Sequence, residues 1–155
     1  MEFVNNNLKI YMKKGFTIIE LVVVVAIIGV LSTVILASVT QYINKSKDAN
    51  VIGNLAILVS AGEVYYNGNQ SRYNGFCNSS VVTNAETEIP KSSLPSCDTG
   101  ICCFEDADGD AWVACAQLFI DTDKAYCVDS RGVKKKINNA DCGSGASMAT
   151  IHECP

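Results

Sequence analysis

The sequence predicts an α+β chain: one long N-terminal helix packed on a small antiparallel β-sheet, with disulfide-rich loops. Three observations predict it. Residues 16–39 are almost uniformly apolar, residues 40–66 are apolar on one side only, and all eight cysteines fall after residue 76. A chain of 155 residues has room for one small domain and an anchor, but not for two full cores.

The apolar stretch FTIIELVVVVAIIGVLSTVILASV, residues 16–39, contains a single charge, Glu20. As a helix at about 1.5 Å per residue it is roughly 36 Å long, enough to cross a hydrocarbon core of about 30 Å. Lys9, Lys13 and Lys14 precede it. The positive-inside rule therefore places residues 1–15 in the cytoplasm and everything beyond about residue 40 outside. A secretory signal would have a shorter apolar core with its small-x-small cleavage site after it. Here the polar break, Lys13-Lys14-Gly15, comes first. A plain signal anchor explains the length and orientation but not Glu20. A carboxylate inside a membrane helix costs about 2.5–3.5 kcal/mol on insertion scales, so it requires a partner.

Past Val39 the pattern becomes one-sided. Ile52, Leu55, Ala56, Val59 and Tyr66 recur at helical spacing with Leu58 and Gly62 flanking them, while Asn44, Lys45, Lys47, Asp48, Asn54 and Glu63 lie largely off the stripe. No proline interrupts residues 16–66, and Asn67-Gly68-Asn69 supplies a stop. The reading is one helix of about 51 residues, roughly 75 Å if straight. Gly29, Gly53 and Gly62 each weaken it by about 1 kcal/mol relative to alanine, which predicts a bend or local melting at one of them, foremost Gly29.

Residues 67–155 form the head that must cover the amphipathic half. Residues 67–100, rich in Asn, Ser and Gly with Pro90 and Pro95, read as loop tethered through Cys77 and Cys97. Residues 101–105 and 111–120 read as strands around the turn 106–110, and 125–129 and 133–137 as a second hairpin around Ser130-Arg131-Gly132. Trp112 and Phe119 have the bulk to fill the contact with the helix. Cys102 and Cys103 are adjacent in a strand and so point to opposite faces. Cys142 and Cys154 pin the ends of the polar tail 138–155.

The eight cysteines, Cys77, Cys97, Cys102, Cys103, Cys115, Cys127, Cys142 and Cys154, are even in number and confined to the predicted exterior, which indicates disulfides. Zinc would favour CxxC pairs or Cys/His clusters, and the chain has no CxxC and one histidine, His152. Eight cysteines allow 105 pairings, and sequence does not choose among them.

The segment Lys13-Lys14-Gly15-Phe16-Thr17-Ile18-Ile19-Glu20-Leu21 closely resembles the type III signal of type IV pilins and type II secretion pseudopilins. The resemblance implies that residues 1–15 are a leader removed by a prepilin peptidase, which cuts between Gly15 and Phe16 and methylates the new amino terminus. It implies that Glu20 pairs with the terminal amine of a neighbouring subunit, the partner that the insertion cost demands. It further implies a homopolymer with sister pilins, an assembly platform and a cytoplasmic ATPase. The chain would be a single-pass protein of the cytoplasmic membrane before assembly and part of a cell-surface or periplasmic filament afterwards. A C-terminal loop closed by a disulfide is common in that family. The chain departs from it at Ala37, where many members carry proline, and in the length of its leader; a start at Met12 would give the short form, MKKG.

Removal of the leader leaves nine basic and fifteen acidic residues, a net charge of −6. Such an acidic chain lacks the broad basic footprint of a nucleic-acid binder. Lys134-Lys135-Lys136, the only basic run, reads as a solvated strand edge. Asp106, Asp108 and Asp110 have the one-three-five spacing of an EF-hand, but Gly109 stands at position four and Gln117 at twelve, so no EF-hand forms. A looser Ca²⁺ site there, helped by Asp121 or Asp123, competes with a solvated acidic turn. Some pseudopilins bind Ca²⁺ near their C-terminal end. No phosphate loop, GxSxG elbow or HExxH motif appears, and His152 stands alone in a polar tail. The chain reads as a structural subunit without a cofactor, not an enzyme. A monotopic binding module that uses the helix as an anchor, and an extracytoplasmic redox or metal protein, are the competing readings.

Overall fold

A computed structural model describes residues 15–91, 97, 100–143, 150 and 152–155, without the side chains at 34, 36 and 37. Met12, Lys13, Lys14 and Pro95, and the side chain of Ala37, lie outside the described residues. The chain divides into two compact units, Met1–Val39 and Thr40–Pro155. Helix α1, Ile18–Gly68, contributes to both.

In the second unit α1 is followed by a short 3-10 turn, Phe76–Asn78, then α2, Ser80–Glu88, and four strands: β1 Cys102–Glu105, β2 Trp112–Gln117, β3 Lys124–Asp129 and β4 Lys134–Asn138. The strands form an antiparallel meander in the order β1-β2-β3-β4. The α+β architecture, both hairpins and the long helix match the sequence reading.

Four particulars differ. First, α1 begins two residues later and ends two later than expected, and it continues through Gly29, Gly53 and Gly62 without melting. Second, its buried stripe is rotated. Val51, Leu55 and Leu58 are fully buried and Gly62 is buried with them, whereas Ile52, Val59 and Tyr66 are only half covered. The residues read as flanks are therefore the centre. Third, Asp48 continues that stripe and is buried instead of facing solvent. Its carboxylate accepts the Phe119 N–H at 2.5 Å and the Ile120 N–H at 3.4 Å. Those two donors are thereby withdrawn from the ladder, and β2 stops at Gln117 rather than at residue 120. Fourth, the stretch read as loop contains α2. Its sequence, SVVTNAETE, has weak helix propensity, and it is held by burial of Val82 and Ala85.

The core between α1 and the sheet is aromatic at its centre. Trp112 is fully buried, with Phe76 at 4.7 Å and Tyr73 at 6.5 Å between ring centroids. Phe119 is half-buried against the same cluster, with the Lys47 ammonium 4.9 Å from its ring centre. The Tyr73 hydroxyl donates to Glu63 Oε1, and burial together with that carboxylate pushes its pKa up to about 12.

The opposite face of the sheet carries the cysteines. Cys102, Cys115 and Cys127 lie side by side across β1, β2 and β3. The bridges are Cys77–Cys103, Cys97–Cys102, Cys115–Cys142 and Cys127–Cys154, with Cα separations of 5.5–6.0 Å. Cys102 and Cys103 do serve different bridges, one on each face. Cys77 and Cys97 tether the connecting stretch, and Cys142 and Cys154 pin the tail. The three bridges between cysteines 26 or 27 residues apart contribute about 3–4 kcal/mol each on chain-entropy grounds, and Cys97–Cys102, five residues apart, about 2 kcal/mol. The lysines of β4, Lys134, Lys135 and Lys136, are exposed along an outer strand.

A Cβ placed on Gly62 would lie 2.8 Å from Trp112 Nε1 and 2.9 Å from Trp112 Cζ2, whereas one on Gly53 meets nothing within 4 Å. Overpacking costs about 1–3 kcal/mol and outweighs a helix-propensity gain of about 1 kcal/mol. Gly62→Ala is therefore expected to lower the thermal midpoint and Gly53→Ala to raise it. Melts of the two variants followed by circular dichroism check both signs.

Candidate functional site

The candidate site begins where α1 begins. Gly15, Phe16 and Thr17 precede the helix, and Phe16 is 80% exposed. Thr17 caps the helix reciprocally with Glu20. The Thr17 hydroxyl donates to Glu20 Oε2 at 2.8 Å, the Thr17 N–H donates to the same oxygen at 2.9 Å, and the Glu20 N–H donates back to Thr17 Oγ1 at 3.3 Å. This T-x-x-E capping box satisfies two of the orphan amides at the helix start. It explains why helical geometry starts at Ile18, and it gives the carboxylate donors within its own chain. Sequence reasoning placed Glu20 here but missed Thr17, although the T-x-x-E spacing was a readable signal.

Beyond the cap, the side chains of residues 18–33 are all exposed among the described residues. Ile19, Leu21, Val25, Ile28 and Leu31 are all more than half exposed. The apolar window of this helix has a mean hydropathy of 2.9. Its polar side chains are turned onto its own backbone: Ser32 Oγ donates to the Ile28 carbonyl at 2.7 Å and Thr33 Oγ1 to the Val30 carbonyl at 2.8 Å. A helix with all-round apolar exposure and internally satisfied hydroxyls suits lipid or other apolar helices, not water.

The family model for the prokaryotic N-terminal methylation motif matches residues 11–36. Fimbrial protein Q of Moraxella bovis is 50% identical over 44 residues, 28% of this chain and 28% of its own length. The type IV major alpha-pilin of the same organism shows the same identity and coverage. The N-terminal segment is similar to those of type IV pilins. The type IV major pilin protein PilA of Myxococcus xanthus is 35% identical over 65 residues, 42% of this chain and 29% of its own length. The chain thus spans less than a third of the length of these curated relatives. No solved structure matches it significantly.

The N-terminal segment contains Gly15, Phe16 and Glu20 close together, while Lys13 and Lys14 lie outside the described residues. In the acidic turn, Gly109 adopts φ 73° and its N–H donates to the Asp106 carbonyl. Arg72 bridges to Asp110 at 3.3 Å and donates to the Asp108 carbonyl, and the Tyr73 N–H donates to the Gly109 carbonyl. The turn is thus docked on residues 72–74, with Asp108 and Asp110 exposed. Among the described residues, the one triad of potential metal-ligating groups is Cys102, Cys115 and Cys142, and all three sulfurs are in disulfides. His152 is half-buried in the tail with φ 52°.

Thr17→Val keeps the side-chain shape and deletes the cap hydroxyl. Losing an N-cap costs about 1 kcal/mol, so amide exchange at Glu20 is expected to quicken roughly five-fold in detergent. Unchanged exchange there would show that the box does not hold in solution.

Proposed function

We propose that the chain is a structural subunit of a type IV pilus, processed at its N-terminus and polymerising through the first half of α1. The observation that carries this reading is the conjunction at residues 11–36. A methylation motif stands at the start of a helix whose apolar side chains are exposed among the described residues. The names of the relatives, fimbrial protein and major pilin, support a pilus rather than a secretion pseudopilus.

In this reading Lys13, Lys14 and Gly15 direct a prepilin peptidase to the Gly15–Phe16 bond, and residues 1–15 leave as the leader. Before assembly the helix holds the subunit in the membrane with residues 67–155 outside, where the four disulfides form. On assembly the helices exchange lipid for one another, and a platform protein and ATPase supply the work. Glu20 meets the methylated amine of Phe16 on the neighbour. The Thr17 donors keep the carboxylate solvated in the membrane until that amine arrives, which lowers the insertion cost of a lone acid. The chain acts as a building block and performs no catalysis.

Mass spectrometry of the mature N-terminus tests the processing step: it should begin at methylated Phe16. A chain that still begins at Met1 or Met12 would mark a plain membrane anchor. Glu20→Ala should leave cleavage largely intact and reduce filaments at least ten-fold by electron microscopy of sheared surface fractions. Filaments at the normal level would remove Glu20 from the mechanism.

A further inference from the structure

The disulfides run against the order in which the chain presents its cysteines. Cys127 lies between Cys115 and Cys142 in sequence, and Cys142 lies between Cys127 and Cys154, yet the bridges are Cys115–Cys142 and Cys127–Cys154. Cys115 and Cys127 are also direct partners across β2 and β3. The Leu118 N–H donates to the Lys124 carbonyl and the Ser130 N–H to the Trp112 carbonyl. Counting the alternation inward from either bond makes Cys115/Cys127 a non-hydrogen-bonded pair. Such pairs have Cα atoms about 4.5 Å apart and side chains closer than at the alternating positions, within the range that a disulfide spans.

The hairpin therefore presents a wrong bridge that its own register favours. Hairpins form in microseconds, long before thiols oxidise. Cys127 is less than half as far along the chain from Cys115 as Cys142 is, which favours the wrong closure by roughly three-fold on chain statistics alone. The tail that carries Cys142 and Cys154 is also made after the hairpin.

We propose that this chain is a substrate of a thiol–disulfide isomerase, which resolves a Cys115–Cys127 cross-strand bridge so that Cys115–Cys142 and Cys127–Cys154 can close. The exchange is redox-neutral. The isomerase thiolate attacks Cys127 Sγ in the wrong bridge, forming a mixed disulfide and expelling the Cys115 thiolate. That thiolate attacks Cys142 in a Cys142–Cys154 bridge and releases the Cys154 thiolate. The Cys154 thiolate then attacks Cys127 Sγ in the mixed disulfide and returns the enzyme thiolate. Two bonds break, two form, and no oxidant is consumed.

The direction of exchange is set by the tail. Asp129 is fully buried and accepts the Cys154 N–H at 3.1 Å as well as the Arg131 and Val133 N–H groups. Arg131 pairs with Asp129 at 2.9 Å and with Glu153 at 2.8 Å. With the wrong bridge closed, the tail does not dock. Asp129 then loses a donor, and the apolar face around Val113, Ala125 and Ile137 is uncovered. A face left open in this way is also what lets an isomerase reach Cys115 and Cys127, which are inaccessible in the native head.

The test needs no filament, so it is separate from the pilus reading. The full chain, reduced and unfolded in detergent, is oxidised with one equivalent of diamide per cysteine pair, and a catalytic amount of a reduced, periplasmic-type CxxC disulfide isomerase is then added or withheld. Samples are acid-trapped and digested with trypsin. Cuts at Lys124, Arg131 and Lys136, with cyanogen bromide cleavage at Met148 to part Cys142 from Cys154, separate the linkages: a Cys115–Cys127 bridge joins peptide 92–124 to 125–131, whereas the native bonds join 92–124 to 137–148 and 125–131 to 149–155. The wrong linkage should dominate at early times, and the isomerase should speed native linkage at least ten-fold. Direct formation of the native linkage at an isomerase-independent rate would overturn the proposal. In the Cys127→Ser/Cys154→Ser variant the competition is gone, so Cys115–Cys142 should form without the isomerase; persistent dependence would equally overturn it.

Discussion

The head is organised by the contact between Trp112 and Gly62. An indole can lie against a helix backbone only where the helix has no side chain, and Gly62 leaves that space. From this contact follow the position of β2 over α1, the packing of Phe76 and Tyr73 around the ring, and the rotation of the buried stripe to Val51, Leu55 and Leu58. Asp48 fixes the other end of the same stripe by holding the Phe119 and Ile120 amides. A helix with a polar-looking second half is thus fastened at two places by residues that hydropathy alone would discard, one a glycine and one an acid.

The sheet has two different interiors. Toward α1 it presents Trp112, Ala114, Ala116 and Val128. Away from it Cys102, Cys115 and Cys127 are capped by loop and tail through disulfides. A four-stranded sheet this small has too little apolar surface to hold layers on both sides by burial alone, and covalent bonds replace the missing area on one side.

Much of this was legible because periodicity is local. The uniform apolar run at 16–39 and the two hairpins follow from side-chain pattern and turn residues, and the strand boundaries fall within three residues of those expected. What was not legible is long-range. Val82 and Ala85 make α2 a helix only because a core exists for them, so its weak propensity misleads. Asp48 and Gly62 look like a surface acid and a helix weakness until Phe119 and Trp112 are placed beside them. At the N-terminus the signal motif and Glu20 stand out by type and spacing, and Thr17 could have been read from its three-residue offset to Glu20. Beyond the separation of Cys102 from Cys103, the disulfide pairing could not be read, since nothing else in the eight positions distinguishes one set of partners from another.

The bridges also change how the head would respond to tension. Between Cys77 and Cys154 a pulling force need not travel along the whole chain. It can pass through Cys77–Cys103, along β1 and β2 to Cys115, along β3 to Cys127, and through Cys127–Cys154 to the tail. Residues 78–102 and 128–153 are short-circuited and add no length. Even with every hydrogen bond of the sheet lost, the stretch that could extend is confined to the two hairpin spans between those sulfurs. The head is a closed chain of short extensible contour, able to be deformed but not drawn out into a thread.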